Sequence, residues 1–208
     1  MLLSNQYQAA LGGVGGQGII TMSEIIGEAA MRADIPVTSS ETHGMAQRGG
    51  SVVVQIKLGK SKVSPTIAEG QADLLVALEA AEVLRYIRLI KPNGAVIANT
   101  IRLVPPSYTQ SRREYPDLGQ ISHMVQKFTD NFVYVDTDAV LREIPEIRSP
   151  NIPMLGAIGE VWDRTATFPI TSSLLLTTIK DRWPDWSDLN SRAFMAGQKQ
   201  IPALLTAI

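Results

Sequence analysis

Cysteine is absent from this chain. That absence excludes a cysteine-ligated iron–sulfur cluster, a thiolate zinc site and a cysteine nucleophile from these residues. An excess of either charge is also missing: 19 basic residues face 20 acidic ones, leaving a formal charge of −1. No basic block occurs, so nothing supports a nucleic-acid footprint. No apolar run approaches the ~20 residues that a membrane span requires. Residues 1–6 lack both a charged region and a long apolar core, so the expectation is a cytoplasmic chain without a signal peptide. No G-x-S-x-G elbow and no metal-ligand spacing appear, which argues against a hydrolase triad or a metal centre. Only two histidines are present, His43 and His123. At 208 residues the chain suits one α/β domain over 1–208, in which roughly 70% of the unfolded surface is buried without any covalent staple.

What is plentiful near the start is glycine. Gly12, Gly13, Gly15, Gly16 and Gly18 fall within seven residues, directly after a short strand-like run at 7–11 and before a helical pattern over 19–32. Inside regular structure each glycine costs about 0.5–1 kcal/mol relative to alanine. At a strand-to-helix turn they allow positive φ and close approach, and the free amides of the helix N-terminus suit an anion. Gly13, Val14, Gly15, Gly16, Gln17 and Gly18 fit G-x-G-x-x-G in the context a dinucleotide site requires. Three readings stand: a nicotinamide or flavin dinucleotide site, a phosphate cradle, or a turn that only lets helix and sheet pack. Glu41, near the end of the second strand, is the acidic residue a dinucleotide site would need. Against that reading, the chain passes from the second strand through a loop into a third with no crossover helix.

Along the chain, Ile19, Ile20, Met22, Ile25, Ile26, Ala29, Ala30 and Ala33 mark one buried helical face. Strands are expected at 37–40 and 51–58, with a polar loop over 41–50 between them. Residues 62–64 are expected to return as a hairpin on the second of these strands. A doubly buried strand at 73–78, a helix at 79–90 and a strand at 94–100 form one parallel βαβ unit. A polar excursion over 105–117, a helix at 118–129 and a strand at 132–136 follow. Beyond that the pattern is helical at 139–144, 154–163, 172–183 and 189–203. The expected architecture is therefore α/β: a mostly parallel sheet flanked by helices, a Rossmann-like glycine loop after the first strand, a β-hairpin insertion, and a helical segment over 137–208 packed on it.

The 41–50 loop carries the candidate catalytic residues His43, Glu41 and Arg48. His43 suits a general acid or hydrogen-bonding role, or the ordering of a turn against another subunit. Arg48, beside Gly49, Gly50 and Ser51, suits bidentate pairing with phosphate or carboxylate, or an interchain salt bridge. Candidate ligand-binding residues are thus 13–18 together with 49–51. Glu79 and Glu82 read as helix-start carboxylates that favour the helix dipole. His123 reads as a surface or packing residue.

Taken together, G-V-G-G-Q-G at 13–18, S-E-T-H-G-M-A-Q-R-G-G-S-V at 40–52 and S-P-T-I at 64–67 resemble the beta subunit of indolepyruvate ferredoxin oxidoreductase. A-D-L-L-V-A-L-E-A-A-E-V-L-R-Y at 72–86, N-I-P-M-L-G at 151–156 and A-F-M-A-G at 193–197 extend the resemblance over about residues 7–198. The resemblance implies a subunit of a thiamine-diphosphate enzyme. That enzyme oxidatively decarboxylates an aryl 2-oxoacid to the acyl-CoA and passes electrons through iron–sulfur clusters to ferredoxin. Without cysteine, and without a G-D-G thiamine diphosphate motif, this chain leaves both cofactors to a larger partner subunit. It binds no cofactor firmly, with coenzyme A as the expected ligand, and is not expected to be active alone. The rival expectations are a free-standing NAD(P)- or flavin-dependent oxidoreductase and a non-catalytic docking module.

Overall fold

The computed structural model describes residues 6–44, 50–59, 64–104, 114–164 and 170–202. The strands are β1 (Tyr7–Val14), β2 (Val37–His43), β3 (Ser51–Leu58), β4 (Ala72–Ala77), β5 (Ile90–Asn99) and β6 (Phe132–Val135). They form one sheet in the order β2-β3-β1-β4-β5-β6. The β1–β4, β4–β5 and β5–β6 pairs are parallel, whereas β3 runs antiparallel to both of its neighbours. The helices are α1 (Ile19–Arg32), α2 (Glu82–Tyr86), α3 (Leu118–Val125), α4 (Thr137–Glu143), α5 (Asn151–Arg164), α6 (Ser172–Arg182) and α7 (Ser187–Gln198).

Side-chain alternation along the strands divides the core into two layers. Leu11, Leu74, Val76 and Ile97 face one way, onto α1 and the helices from α4 to α7. Ala10, Leu75, Ala77, Val96 and Ala98 face the other way, onto α2 and α3. On the first side, Trp162 of α5 is fully buried and its indole N–H donates to the Tyr7 hydroxyl at 2.9 Å. Burial pushes the Tyr7 phenol above its ordinary value. No helix among the described residues is long and apolar enough to cross a membrane.

Several boundaries differ from the sequence reading, each for a pairing reason. β1 continues through Gly12 and Gly13 to Val14 because Val14 pairs with Ser51 at the start of β3. β2 likewise takes in Glu41, Thr42 and His43, since His43 pairs with Val52. β3 therefore pairs antiparallel with β2 as well as β1; Ser64, expected in a hairpin on it, is not in a strand, and 62–63 lie outside the described residues. The helix expected over 79–90 is only Glu82–Tyr86 followed by one 3₁₀ turn, Ile87–Leu89. Residues 91–93, expected between that helix and the next strand, belong to β5, where Asn93 takes a positive φ of 63°.

Connectivity puts the opening of the molecule in a definite place. α1 covers one face and α2 the other, so the chain reverses its winding between β1 and β4. In open α/β sheets, ligands bind at the carboxyl ends of the strands where this reversal occurs. The glycine turn leaves β1 at that point.

Candidate functional site

The turn itself spans Gly15 to Gly18, with Gly16 and Gly18 at φ 99° and 83°. Gly18 is the N-cap of α1 and so supplies no capping side chain, and the first turn holds no acidic residue. The amides at the head of α1 thus keep their partial positive charge, the condition under which a helix start receives an anion. A side chain at position 18 would be strained by its φ, and its Cβ would lie 2.8 Å from Asn151 Nδ2.

Gln17 holds the turn from beneath. Its Oε1 accepts from the Val14 amide at 2.7 Å, and its Nε2 donates to the Leu78 carbonyl at 2.8 Å. The side chain is buried and bridges β1 to the end of β4, so it points away from solvent. Gly12 and Gly13 are sites of close approach: a Cβ on Gly12 would stand 2.9 Å from the Tyr86 ring, and one on Gly13 2.8 Å from Ile19 Cδ1.

The second candidate segment meets the first because β3 lies between β1 and β2. Gly15 donates to the Gly50 carbonyl at 2.9 Å, and Gly44 donates to the Ser51 carbonyl at 2.8 Å. The result is a cleft of about 610 Å³, with Gly15, Gly16, Gly18 and Thr21 on one side and His43 and Gly44 on the other. Ile20, placed by periodicity on the buried face of α1, also lines it and is 37% exposed. Among the predicted residues, the structure therefore gathers Gly15, Gly16, Gly18 and His43 around one opening. Gly13, Val14 and Gln17 form the scaffold behind it. Arg48 and Gly49 lie outside the described residues.

His43 projects from the end of β2, with Nε2 3.5 Å from Glu41 Oε2 two residues earlier on the same strand face. Both side chains are well exposed, so this contact contributes little to stability. Glu41 has no route to a dinucleotide ribose, because β3 separates its strand from β1. In the dinucleotide fold the acidic residue stands on the strand next to the glycine turn.

Ser51 is held by groups the sequence reading did not connect to it. Its hydroxyl donates to Glu82 Oε2 and lies 2.7 Å from the Tyr86 hydroxyl. Glu82 is buried and also accepts from Arg85 Nε at 3.1 Å. Burial pushes the Tyr86 phenol up. The trio clamps the start of β3, and with it the Gly50 carbonyl that receives Gly15. Periodicity had no means of finding it: Ser51 and Glu82 are joined only by the packing of α2 against β1 and β3.

Glu79 is another such residue. It is 2% exposed and accepts from the amides of Ala81, Glu82 and Leu103 at 3.0, 3.1 and 3.2 Å, and from the Tyr115 hydroxyl. It caps the turn after β4 and pins the 101–104 and 114–117 segments, a larger task than favouring a dipole. Burial raises its carboxyl above the ordinary range, against the pull of the Tyr115, Leu103 and Glu82 hydrogen bonds. A carboxyl with a raised folded-state value holds its proton more tightly when folded. Its contribution to stability is therefore full at low pH and falls as pH climbs from about 4.3, the unfolded glutamate value, through the raised one. Glu79→Gln is expected to carry a constant loss from the removed acceptor and to recover ground on the parent across that window. Denaturant midpoints of both proteins at a series of pH values measure it; a difference independent of pH refutes it.

Among the described residues no group of three acidic or histidine side chains is arranged to hold a metal ion. Fold and cleft together define an α/β protein with an opening, beside an uncapped helix start, at the switch point of its sheet. A family model for pyruvate ferredoxin/flavodoxin oxidoreductase matches residues 8–200, and the chain belongs to that family. It is 37% identical over 188 residues to indolepyruvate oxidoreductase subunit IorB of Archaeoglobus fulgidus, covering 90% of this chain and 92% of that one. The subunit of the same name from Methanothermobacter thermautotrophicus is 38% identical over 192 residues, covering 92% and 95%. Among solved structures, pyruvate oxidoreductase subunit PORC of Thermotoga maritima shares the fold with a TM-score of 0.69 at 19% identity, over 96% of this chain and 98% of that one. The 2-oxoglutarate:ferredoxin oxidoreductase of Magnetococcus marinus, solved with 2-oxoglutarate, coenzyme A and succinyl-CoA bound, matches with a TM-score of 0.68 at 18% identity. That match takes in 99% of this chain and 33% of that one.

Proposed function

We propose that this chain is the small subunit of a 2-oxoacid:ferredoxin oxidoreductase that acts on indolepyruvate or another aryl 2-oxoacid. Family membership and the IorB relatives support the subunit assignment; their name is what indicates the aryl substrate. The complex converts the 2-oxoacid to its acyl-CoA and carbon dioxide and reduces ferredoxin. Thiamine diphosphate and the iron–sulfur clusters, which supply decarboxylation and electron transfer, belong to a larger partner subunit, in keeping with the lack of cysteine here.

The observation that carries this chain's own role is the cleft shared by the uncapped start of α1 and the His43–Gly44 edge. Its amides suit a phosphate of coenzyme A, and Arg48, on the segment leaving Gly44, suits the same anion. His43, with Glu41 beside it, is a hydrogen-bonding group at the mouth of the cleft. Gly16 and Gly18 keep the amides accessible, Gln17 and Ser51 hold the two walls in register, and Gly50 brings its carbonyl to the Gly15 amide.

Arg48→Ala in the assembled complex is expected to weaken coenzyme A use by about 1–3 kcal/mol, roughly 5- to 150-fold in kcat/KM for coenzyme A. Unchanged coenzyme A kinetics would remove Arg48 from the role. The subunit assignment is tested separately, by 2-oxoacid-dependent viologen reduction in the native complex purified with and without this chain. Turnover of a 2-oxoacid by this chain alone would overturn it.

A further inference from the structure

A second cleft, of about 250 Å³, opens between the segment leading into α5 and the turn joining α6 to α7. Its walls include Trp183, Trp186, Asn190, Asn151, Glu146 and Arg148. Trp186 is 49% exposed, unusual for so large an apolar side chain. Asn190 is only 5% exposed, yet its amide makes no hydrogen bond among the described residues. No side-chain nitrogen or oxygen there is both sealed from solvent and unpartnered, so the Asn190 amide opens onto the cleft that it lines. Asn151, 9% exposed, uses Oδ1 on its neighbour's amide, and its Nδ2 has no partner among the described residues. Glu146 and Arg148 have no ion pair or hydrogen bond among the described residues.

We propose that this cleft binds a free aromatic amino acid. The indoles of Trp183 and Trp186 supply the apolar, quadrupolar surface an aryl ring favours. Arg148 pairs with the carboxylate, Glu146 with the ammonium, and the two carboxamides take the remaining donors and acceptors. Size limits the occupant: the volume falls below the ~300 Å³ at which pockets begin to take drug-sized ligands, leaving room for one ring system and its charged tail. The site is physically continuous with the glycine turn, since Ser149 donates to the Gln17 carbonyl at 3.0 Å and Asn151 abuts Gly18. The proposal does not rest on the subunit assignment, and its test uses no enzymatic turnover.

The full chain is titrated with L-phenylalanine by calorimetry and by tryptophan fluorescence, with phenylacetate (no ammonium) and phenethylamine (no carboxylate) in parallel. L-phenylalanine is expected to bind saturably below about 1 mM, and each truncated ligand about tenfold more weakly. Glu146→Gln is expected to weaken L-phenylalanine about tenfold while leaving phenylacetate unchanged, and Arg148→Gln to do the same with phenethylamine unchanged. Both substitutions are at exposed positions, and thermal melts verify the fold. Absence of saturable binding by L-phenylalanine, or equal binding in the parent and both variants, overturns the proposal.

Discussion

Gly197→Ala is expected to destabilise this chain by about 3 kcal/mol, lowering its melting temperature by roughly 10 °C. Helices α5 and α7 cross with their backbones in contact. A Cβ on Gly197 would lie 2.6 Å from the Pro153 carbonyl carbon and 2.8 Å from its Cα. A Cβ on Gly156 would meet the Phe194 backbone in the same way, with the carbonyl carbon at 2.8 Å. Backbone cannot swing aside as a side-chain end can, so one methyl group forces the two helices apart. Phe194 and Trp162, both essentially sealed in that layer, lose contacts as well. Thermal unfolding of the variant against the parent is the measurement, and a shift under about 2 °C would mean the helices separate at little cost. Gly156→Ala should behave alike, and the double variant should cost less than the sum, because the two methyl groups force the same separation.

Gln17→Ala is the second large effect, expected at about 2–4 kcal/mol with loss of activity in the assembled complex. The substitution strips the Val14 amide of its partner and removes a donor from the Leu78 carbonyl, which among the described residues keeps only Asn99 Nδ2, at 3.2 Å. Each unsatisfied buried group costs about 1–3 kcal/mol. It also empties the space under the turn that presents Gly15, Gly16 and Gly18 to the cleft. Gln17→Glu keeps the acceptor for Val14 but sets a carboxylate oxygen against the Leu78 carbonyl, so it should fall between parent and alanine only when protonated. Denaturant titration of both variants, with coenzyme A kinetics of the complex, checks the pair. A Gln17→Ala protein as stable as the parent would show that the turn stands without its prop.

The two motifs 151–156 and 193–197, which carried part of the family resemblance, thus end in glycines at the α5–α7 crossing, Gly156 against the Phe194 backbone and Gly197 against that of Pro153. Their chemistry is packing. The glycine stretch at 12–18 divides differently. Gly12 and Gly13 serve close approach inside the sheet, whereas Gly16 and Gly18 supply the left-handed backbone of the turn. A motif pattern weighs all of these glycines equally, because spacing carries no information about which neighbour each one faces.

Local chemistry was enough for much of this molecule. The bounds of α1 and β3, the doubly buried runs of β4 and β5, and the glycine turn between β1 and α1 follow from periodicity and residue type, which act over a few neighbouring positions. The absence of cysteine by itself excluded thiolate redox centres from the chain. Only the tertiary structure decided that β3 enters antiparallel between β2 and β1, for strand order is chosen by pairing over long range and leaves no local trace. That one choice brings His43 to the glycine turn, removes Glu41 from any dinucleotide geometry, and sets Ser51 on Glu82 and Tyr86. The buried carboxyl of Glu79 and the unpartnered amide of Asn190 belong to the same category: burial is a property of what packs around a residue, and a sequence states it only on average.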